Sequence, residues 1–229
     1  MYNTTDILNI FKDKYKNQDF RIIGNNVQQA KTIEIQNVQF ECDKDWIVRE
    51  PNYEYFEREK EWYLLQSLNI NDIPGGAPTM WKACCDNNGF INSNYGWCIF
   101  SKENYEQYNH CLEALTKDPS SRAAIMLYTR PSIQIEALKN GMHDFICTYG
   151  VQCFLNPKED GYELRYIVIM RSNDAVFGFN SDHLWAKYVY NKLCDDLEKN
   201  LKCKIYKRNI EWVAMSLHIY ERHFKYLQD

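Results

Sequence analysis

Four polar residues, Arg171-Ser172-Asn173-Asp174, separate two apolar stretches, Tyr162 to Met170 and Ala175-Val176-Phe177-Gly178-Phe179. An arginine with its fixed fork of donors, a hydroxyl and an amide at a strand end can cradle an oxyanion or a phosphate. An ordinary polar turn would use the same residue types. Cys147 lies within Asp144 to Leu155, an apolar segment expected to be a strand. Buried cysteines are usually inert packing. A nucleophilic one needs a cation that holds its thiolate below the reference pKa of about 8.5, and Arg171 could supply that cation if the two strands pair. Glu59, in Arg58-Glu59-Lys60-Glu61-Trp62, shares a predicted helix face with Tyr55, Trp62 and Tyr63 rather than with its charged neighbours. A carboxyl on an apolar face acquires a raised pKa suited to acid–base work, whereas one on a solvated helix surface does not.

The elements that must position these residues follow from hydrophobic spacing. Asp6 to Tyr15 carries Ile7, Leu8, Ile10 and Phe11 behind a Thr-Thr-Asp start, which predicts a helix. Phe20 to Ile23 and Thr32 to Phe40 read as strands on either side of the turn signal Gly24-Asn25-Asn26. Helices are expected over Tyr53 to Leu68, before Pro74-Gly75-Gly76, and over Asn104 to Leu115, closed by Asp118-Pro119-Ser120-Ser121. Ala123 to Tyr128, Phe145 to Leu155 and Tyr162 to Met170 read as strands. Asp182 to Leu197 is predicted as a long helix, with Leu184, Trp185, Val189, Leu193 and Leu197 on its apolar side, and Ile210 to Tyr220 as a last strand. Interspersed helices and strands with hairpin-like connections indicate an α+β or α/β class with a mixed sheet. No linker, repeat or low-complexity tract divides the chain, so residues 1–229 are expected to form one domain.

Composition narrows the function. With 229 residues, 45% hydrophobic and 15% aromatic, the chain can bury a sizeable core. Its net charge of −4 and the lack of a Lys/Arg block argue against a nucleic-acid partner. The longest apolar runs fall far short of the roughly 20 residues a membrane span needs, and Met1 to Asn9 shows no signal pattern, so a cytoplasmic protein is expected. The nine cysteines form no CxxC and no repeated spacing, and an odd count argues against a disulfide framework. Neither His218 with His223 nor His143 with Cys147 has zinc-site spacing, so no metal is expected.

Several segments, taken in order, resemble the thymidylate synthase superfamily and, within it, the bacteriophage deoxycytidylate hydroxymethylases. They are Lys31-Thr32-Ile33-Glu34-Ile35, Arg58-Glu59-Lys60-Glu61-Trp62-Tyr63, Ile91-Asn92-Ser93-Asn94-Tyr95-Gly96-Trp97, Ile125-Met126-Leu127-Tyr128-Thr129-Arg130-Pro131-Ser132, Met170 to Phe179, and Ser216-Leu217-His218-Ile219-Tyr220. The resemblance implies a thymidylate synthase-like fold in which one sheet face forms a homodimer interface. It also implies that Cys147, followed by Gln152, is a nucleophile adding to carbon 6 of a pyrimidine. Glu59 is then the general acid/base, and Tyr95 helps move the proton from carbon 5. Arg171, Ser172, Asn173 and Gln152 belong to the nucleotide site, with Arg171 also lowering the pKa of Cys147. Arg122 reaches the phosphate in the neighbouring subunit. His218 and Tyr220 hydrogen-bond the sugar 3′-hydroxyl, and Trp81, Asp174 and Gly178 hold the folate.

By the same resemblance, the position that reads the base falls on Asp182, where thymidylate synthases have Asn. An amide complements uracil, while a carboxylate suits the exocyclic amine and protonating ring nitrogen of cytosine. The alternative role for Asp182 is as a helix N-cap. The resemblance therefore implies hydroxymethylation of dCMP with 5,10-methylenetetrahydrofolate as cosubstrate. The alternatives are dUMP or CMP as substrate, thymidylate synthase-like chemistry, and a nucleotide-binding homologue without turnover. Three departures bear on this: Arg122-Ala123 stands where the family has two arginines, the N-terminal phosphate contact falls to either Arg21 or Lys31, and the chain stops at Asp229, which implies a short C-terminal tail over the folate.

Overall fold

The computed structural model describes residues 1–24 and 29–228. The chain starts with a short strand β1 (Tyr2–Asn3) and helix α1 (Thr4–Lys16). Asn3 caps α1 in a capping box with Asp6, which satisfies two otherwise orphaned N–H groups and moves the start ahead of the expected Asp6. Strands β2 (Arg21–Gly24) and β3 (Gln29–Cys42) pair antiparallel; Asn25 and Asn26 of the expected turn lie outside the described residues. Helix α2 (Tyr53–Leu65) stops three residues before Leu68 because Gln66 takes a left-handed conformation that ends the helix. The short helices α3 (Thr79–Cys84) and α4 (Tyr95–Phe100) were not expected. They are followed by α5 (Gln107–Lys117), β4 (Ile125–Leu127) and α6 (Ile133–Glu136). Next come β5 (Thr148–Lys158), β6 (Gly161–Met170), β7 (Asn173–Asp174), α7 (Gly178–Leu201), β8 (Lys204–Lys207) and β9 (Ile210–Tyr220). Residues 221–227 turn as a 3-10 helix, so His223 leaves the extended segment that holds His218.

The strands form one mixed sheet in the order β1-β3-β9-β6-β5-β4. β3 runs antiparallel to β9, β9 parallel to β6, and β6 antiparallel to β5. Alternation decides which face is core. Val151, Cys153 and Leu155 of β5, and Leu164, Tyr166 and Val168 of β6, are buried toward the helices. The opposite face presents Ile125 and Leu127 of β4, beside Gln152 and Gly150 of β5. Helix α7 lies across the core face and buries Phe179, Trp185, Val189 and Leu193. Trp62 of α2 and Trp212 of β9 are also fully buried.

Two local devices set the geometry that follows. Gly96 lets α4 press against α2, since a Cβ there would lie 1.8 Å from the Tyr63 carbonyl oxygen. Asn94 caps α4 by accepting from the Trp97 amide at 2.8 Å, and its own amide donates to the carbonyls of Trp62 at 3.1 Å and Ser67 at 2.8 Å. Tyr95 is thereby fastened to the end of α2.

Candidate active site

Cys147 does not lie within a strand. β5 begins at Thr148, and residues 142–147 form an irregular approach to it. Asp144 ties this approach to the turn before α4, accepting from the amides of Asn92 at 2.6 Å and Ser93 at 2.7 Å and from the Ser93 hydroxyl at 2.6 Å. Arg171 holds it from the other side. Its backbone N–H donates to the Cys147 carbonyl at 2.8 Å, its Nε to Ile146 O at 3.0 Å and its Nη2 to Phe145 O at 2.6 Å. The same Nη2 lies 3.7 Å from Cys147 Sγ. The expected cation is therefore beside the thiol, but its effect is outweighed: burial pushes Cys147 up to about 12 while Arg171 pulls it down. Burial thus leaves Cys147 as a thiol rather than the expected thiolate.

Glu59 is 2% exposed, which excludes the solvated-surface reading. Tyr55, one turn earlier on α2, donates to Glu59 Oε1 at 2.5 Å, and the Trp81 indole N–H donates to the same oxygen at 2.9 Å. Oε2 is buried without a hydrogen-bond partner. Burial raises the pKa of this carboxyl against the hydrogen bonds from Tyr55 and Trp81, which lower it. Trp81, expected at the folate, also serves as a donor to Glu59. Tyr55 was noticed in the sequence only as part of the apolar face, because its hydroxyl becomes meaningful only once Glu59 is seen beneath it.

Asp182 is not a cap. α7 starts four residues earlier, at Gly178, so Asp182 lies in the second turn, one turn after the helix opens. Its Oδ2 accepts from Asn173 Nδ2 at 2.7 Å, and Asn173 Oδ1 in turn accepts from the buried Trp212 indole at 3.1 Å. Both ends of Asn173 are thus used within the protein, and its side chain orients Asp182. Burial and the nearby Glu59 push Asp182 up to about 8, against hydrogen bonds from Asn173 and Tyr95. The Thr148 hydroxyl donates to the buried Tyr95 hydroxyl at 2.9 Å. Cys147, Glu59, Tyr95 and Asp182 form one electrostatic neighbourhood, since Asp182 acts on both Cys147 and Tyr95.

Around this cluster, Asp174 accepts from the Val176 amide at 3.0 Å in the turn that leads to Gly178. Ser172 adjoins Arg171 at a partly exposed position. His218 and Tyr220 stack edge to face, with ring centroids 5.0 Å apart. Gln152 Nε2 donates to the carbonyls of Arg122 at 3.3 Å and Ala124 at 3.0 Å. Arg122 is exposed, on the β4 approach, and its side chain makes no ion pair among the described residues. Arg21 pairs with Glu34, and Lys31 lies 3.2 Å from Glu221. A cleft of about 110 Å³ is lined by Arg49, Phe56, Phe177, Ser181 and Tyr55, the last of which donates to Glu59, and Asn180 Oδ1 is buried there without a hydrogen-bond partner. No group of three or more metal-ligating side chains is gathered among the described residues, and no helix is long and apolar enough to cross a membrane.

The arrangement can bind an anion near Arg171, present a thiol to a flat electrophile, and move protons through Glu59, Tyr95 and Asp182. Known proteins are similar to this chain in sequence and in fold. The chain is 46% identical over 215 residues to the deoxycytidylate 5-hydroxymethyltransferases of Enterobacteria phages T4 and T6, covering 93% of this chain and 84% of each relative. Its structure is similar to thermostable thymidylate synthase A from Bacillus subtilis, with a TM-score of 0.66 at 20% identity over 98% of this chain and 82% of that one. The thymidylate synthase family model matches residues 7–229. A mixed sheet carrying an irregular cysteine approach, a buried glutamate on α2 and an acidic second turn of α7 is thus a variant of a known framework, and the chain belongs to the thymidylate synthase family.

Proposed function

We propose that the chain converts dCMP, 5,10-methylenetetrahydrofolate and water to 5-hydroxymethyl-dCMP and tetrahydrofolate. The observation that carries this reading is the carboxyl of Asp182, held by Asn173 and pushed up to about 8. At neutral pH such a group keeps its proton. It meets cytosine with an O–H for the ring nitrogen N3 and an acceptor oxygen for the exocyclic amine. A fixed amide at the same place would instead suit the N–H and carbonyl of uracil.

In the proposed reaction, the Cys147 thiol gives its proton to solvent as its sulfur bonds to carbon 6 and Asp182 passes its own proton to N3, which makes carbon 5 nucleophilic. Losing the Asp182 proton as N3 gains it keeps the developing charge paired inside the site. Methylenetetrahydrofolate, when bound, supplies the one-carbon unit. Tyr95 takes part in removing the carbon 5 proton, and the free Oε2 of Glu59 orients the water that provides the hydroxyl oxygen. Expulsion of the Cys147 sulfur restores the aromatic base. Arg171 and Ser172 face the phosphate, and His218 and Tyr220 the sugar. The cleft next to Tyr55 would take only an edge of the folate: Phe56 and Phe177 supply apolar walls, and the orphaned Asn180 Oδ1 offers an acceptor. Trp81, Asp174 and Gly178 stand near the same opening of α7.

A homodimer is part of this proposal. Ile125 and Leu127 are substantially exposed on the outer sheet face, alongside Ile167, Ile169 and Met215, and a second copy would cover them. Arg122, which makes no ion pair among the described residues, lies on the approach to β4 and in such a dimer would reach a neighbour's phosphate.

The deciding experiment is incubation of the purified protein with dCMP, dUMP or CMP plus methylenetetrahydrofolate, with the products identified by mass. The proposal expects dCMP to gain the elements CH2O and tetrahydrofolate to be released. A methylated product with dihydrofolate, or no product from dCMP, would overturn it.

A further inference from the structure

His218 lies directly opposite Glu34 in the antiparallel β3–β9 pair, with Ser216 two residues before it on the same strand. The Ser216 hydroxyl donates to Glu34 Oε1 at 2.6 Å, and its oxygen lies 3.3 Å from His218 Nδ1. Partial burial pushes Glu34 up, but Ser216 and the paired Arg21 together hold it below the usual carboxylate range. Glu34 is therefore ionised at neutral pH and can only accept.

A serine hydroxyl has one proton, and Glu34 takes it. Toward His218 the Ser216 oxygen can offer only a lone pair, so the hydrogen bond requires Nδ1 to carry the proton. Burial also lowers the pKa of His218, and the ring is neutral at pH 7. A neutral imidazole protonated at Nδ1 has a bare lone pair at Nε2. Among the described residues that nitrogen has no partner.

We infer that Glu34 and Ser216 are positioning residues that lock His218 in the Nδ1–H form, so that Nε2 serves as a hydrogen-bond acceptor for a sugar hydroxyl. The inference rests on the nucleotide reading of the site and adds a direction to it: the ligand must donate. A ligand whose 3′ position is a hydroxyl satisfies Nε2, whereas an ether, a phosphate or a hydrogen there leaves that acceptor unmatched once the sugar has displaced water from it. Neither Glu34 nor Ser216 touches the nucleotide in this scheme.

The test reads the ring directly. In protein labelled with 15N-histidine, long-range proton–nitrogen spectra of the ligand-free full chain distinguish a pyrrole-type from a pyridine-type nitrogen. The expected result is pyrrole-type Nδ1 and pyridine-type Nε2 for His218. Ser216→Ala and Glu34→Leu should mix or reverse the two, and Ser216→Thr, which keeps the hydroxyl, should preserve them. In calorimetry, dCMP should bind the wild type about five- to tenfold more tightly than 2′,3′-dideoxy-CMP, as expected for one hydrogen bond. That difference should shrink in Ser216→Ala, where only Tyr220 still meets the hydroxyl reliably, and return to the wild-type value in Ser216→Thr. A pyridine-type Nδ1 in the wild type, or a difference undiminished in Ser216→Ala, would overturn the inference. A wild type with the expected ring form that binds no dCMP would instead overturn the nucleotide reading, so the two failures are separable.

Discussion

Replacing Asp182 by Asn changes one atom, and the structure dictates which way the new amide must face. The Trp212 indole can only donate, so Asn173 turns its oxygen to Trp212 at 3.1 Å and its Nδ2 to residue 182 at 2.7 Å. An Asn at 182 must answer with its carbonyl and aim its own NH2 at the base. That donor matches the carbonyl at carbon 4 of uracil and opposes the exocyclic amine of cytosine. An unmatched buried polar pair costs about 1–3 kcal/mol and a matched one contributes about 0.5–1.5 kcal/mol. The ratio of kcat/KM for dCMP to that for dUMP should therefore fall roughly 10- to 1000-fold. Competition between the two nucleotides in one reaction, with products resolved by mass, measures that ratio directly. A ratio unchanged within about threefold, well inside the effect of one hydrogen bond, would refute the argument. The same variant carries a stability signature. An unfolded Asp loses its proton near pH 3.9, whereas Asp182 in the folded chain keeps it to about 8. Between those values the folded state holds the extra proton, so the wild type loses stability as pH rises and levels off above about 8. Asp182→Asn lacks this loss. After allowance for partial solvent screening it should be about 1–3 kcal/mol more stable at pH 9, or about 3–8 °C in Tm for a chain this long, and the gap should shrink toward pH 5. A Tm difference that does not vary with pH would contradict the raised carboxyl.

Cys147→Ser should lower hydroxymethylation by more than about a thousandfold and abolish exchange of the carbon 5 hydrogen while leaving dCMP affinity within about threefold, as steady-state rates, tritium release and calorimetry would show. Mixing Arg122→Ala protein with Cys147→Ser protein should restore up to about a quarter of the wild-type activity, because statistical mixing of two equal protomers makes half the dimers mixed, each with one intact site; sedimentation that finds only active monomers would exclude this. Asp144→Ala should cost about 3 kcal/mol in denaturant unfolding, since three donors from Asn92 and Ser93 lose a buried acceptor. It should also slow alkylation-sensitive chemistry at Cys147 more than it weakens folate binding.

Much of the framework was legible as pattern. The apolar spacing of α1, α2, α5 and α7 and the β-branched runs of β3, β6 and β9 report burial on one face, which is local information carried by every few residues. Boundaries were less legible, since caps decide them. Asn3 extends α1 forward, Gln66 cuts α2 short by turning left-handed, and α7 begins at Gly178 rather than at the polar residue that resembles a cap. The short helices α3 and α4 escaped notice because six residues are too few to establish a period. Even so, α4 presents Tyr95.

For the site, residue types in the chain pointed to Cys147, Glu59 and Arg171, and family resemblance added Asp182, Tyr95 and the nucleotide contacts. The protonation states were decided only by the tertiary structure. Arg171 was readable as a nearby cation, yet its Nε and Nη2 donate to the carbonyls of residues 146 and 145, and burial leaves the thiol protonated. Asp182 was readable as a carboxyl, but its proton and orientation depend on Glu59, Asn173 and Trp212, drawn from three distant parts of the chain. The donors from Tyr55 and Trp81 to Glu59, and the hydroxyl between Glu34 and His218, were likewise invisible in one dimension. The physical reason is that hydrophobic periodicity is a property of neighbours in sequence, whereas desolvation and hydrogen-bond direction depend on which groups the folded chain brings within about 3 Å of one another.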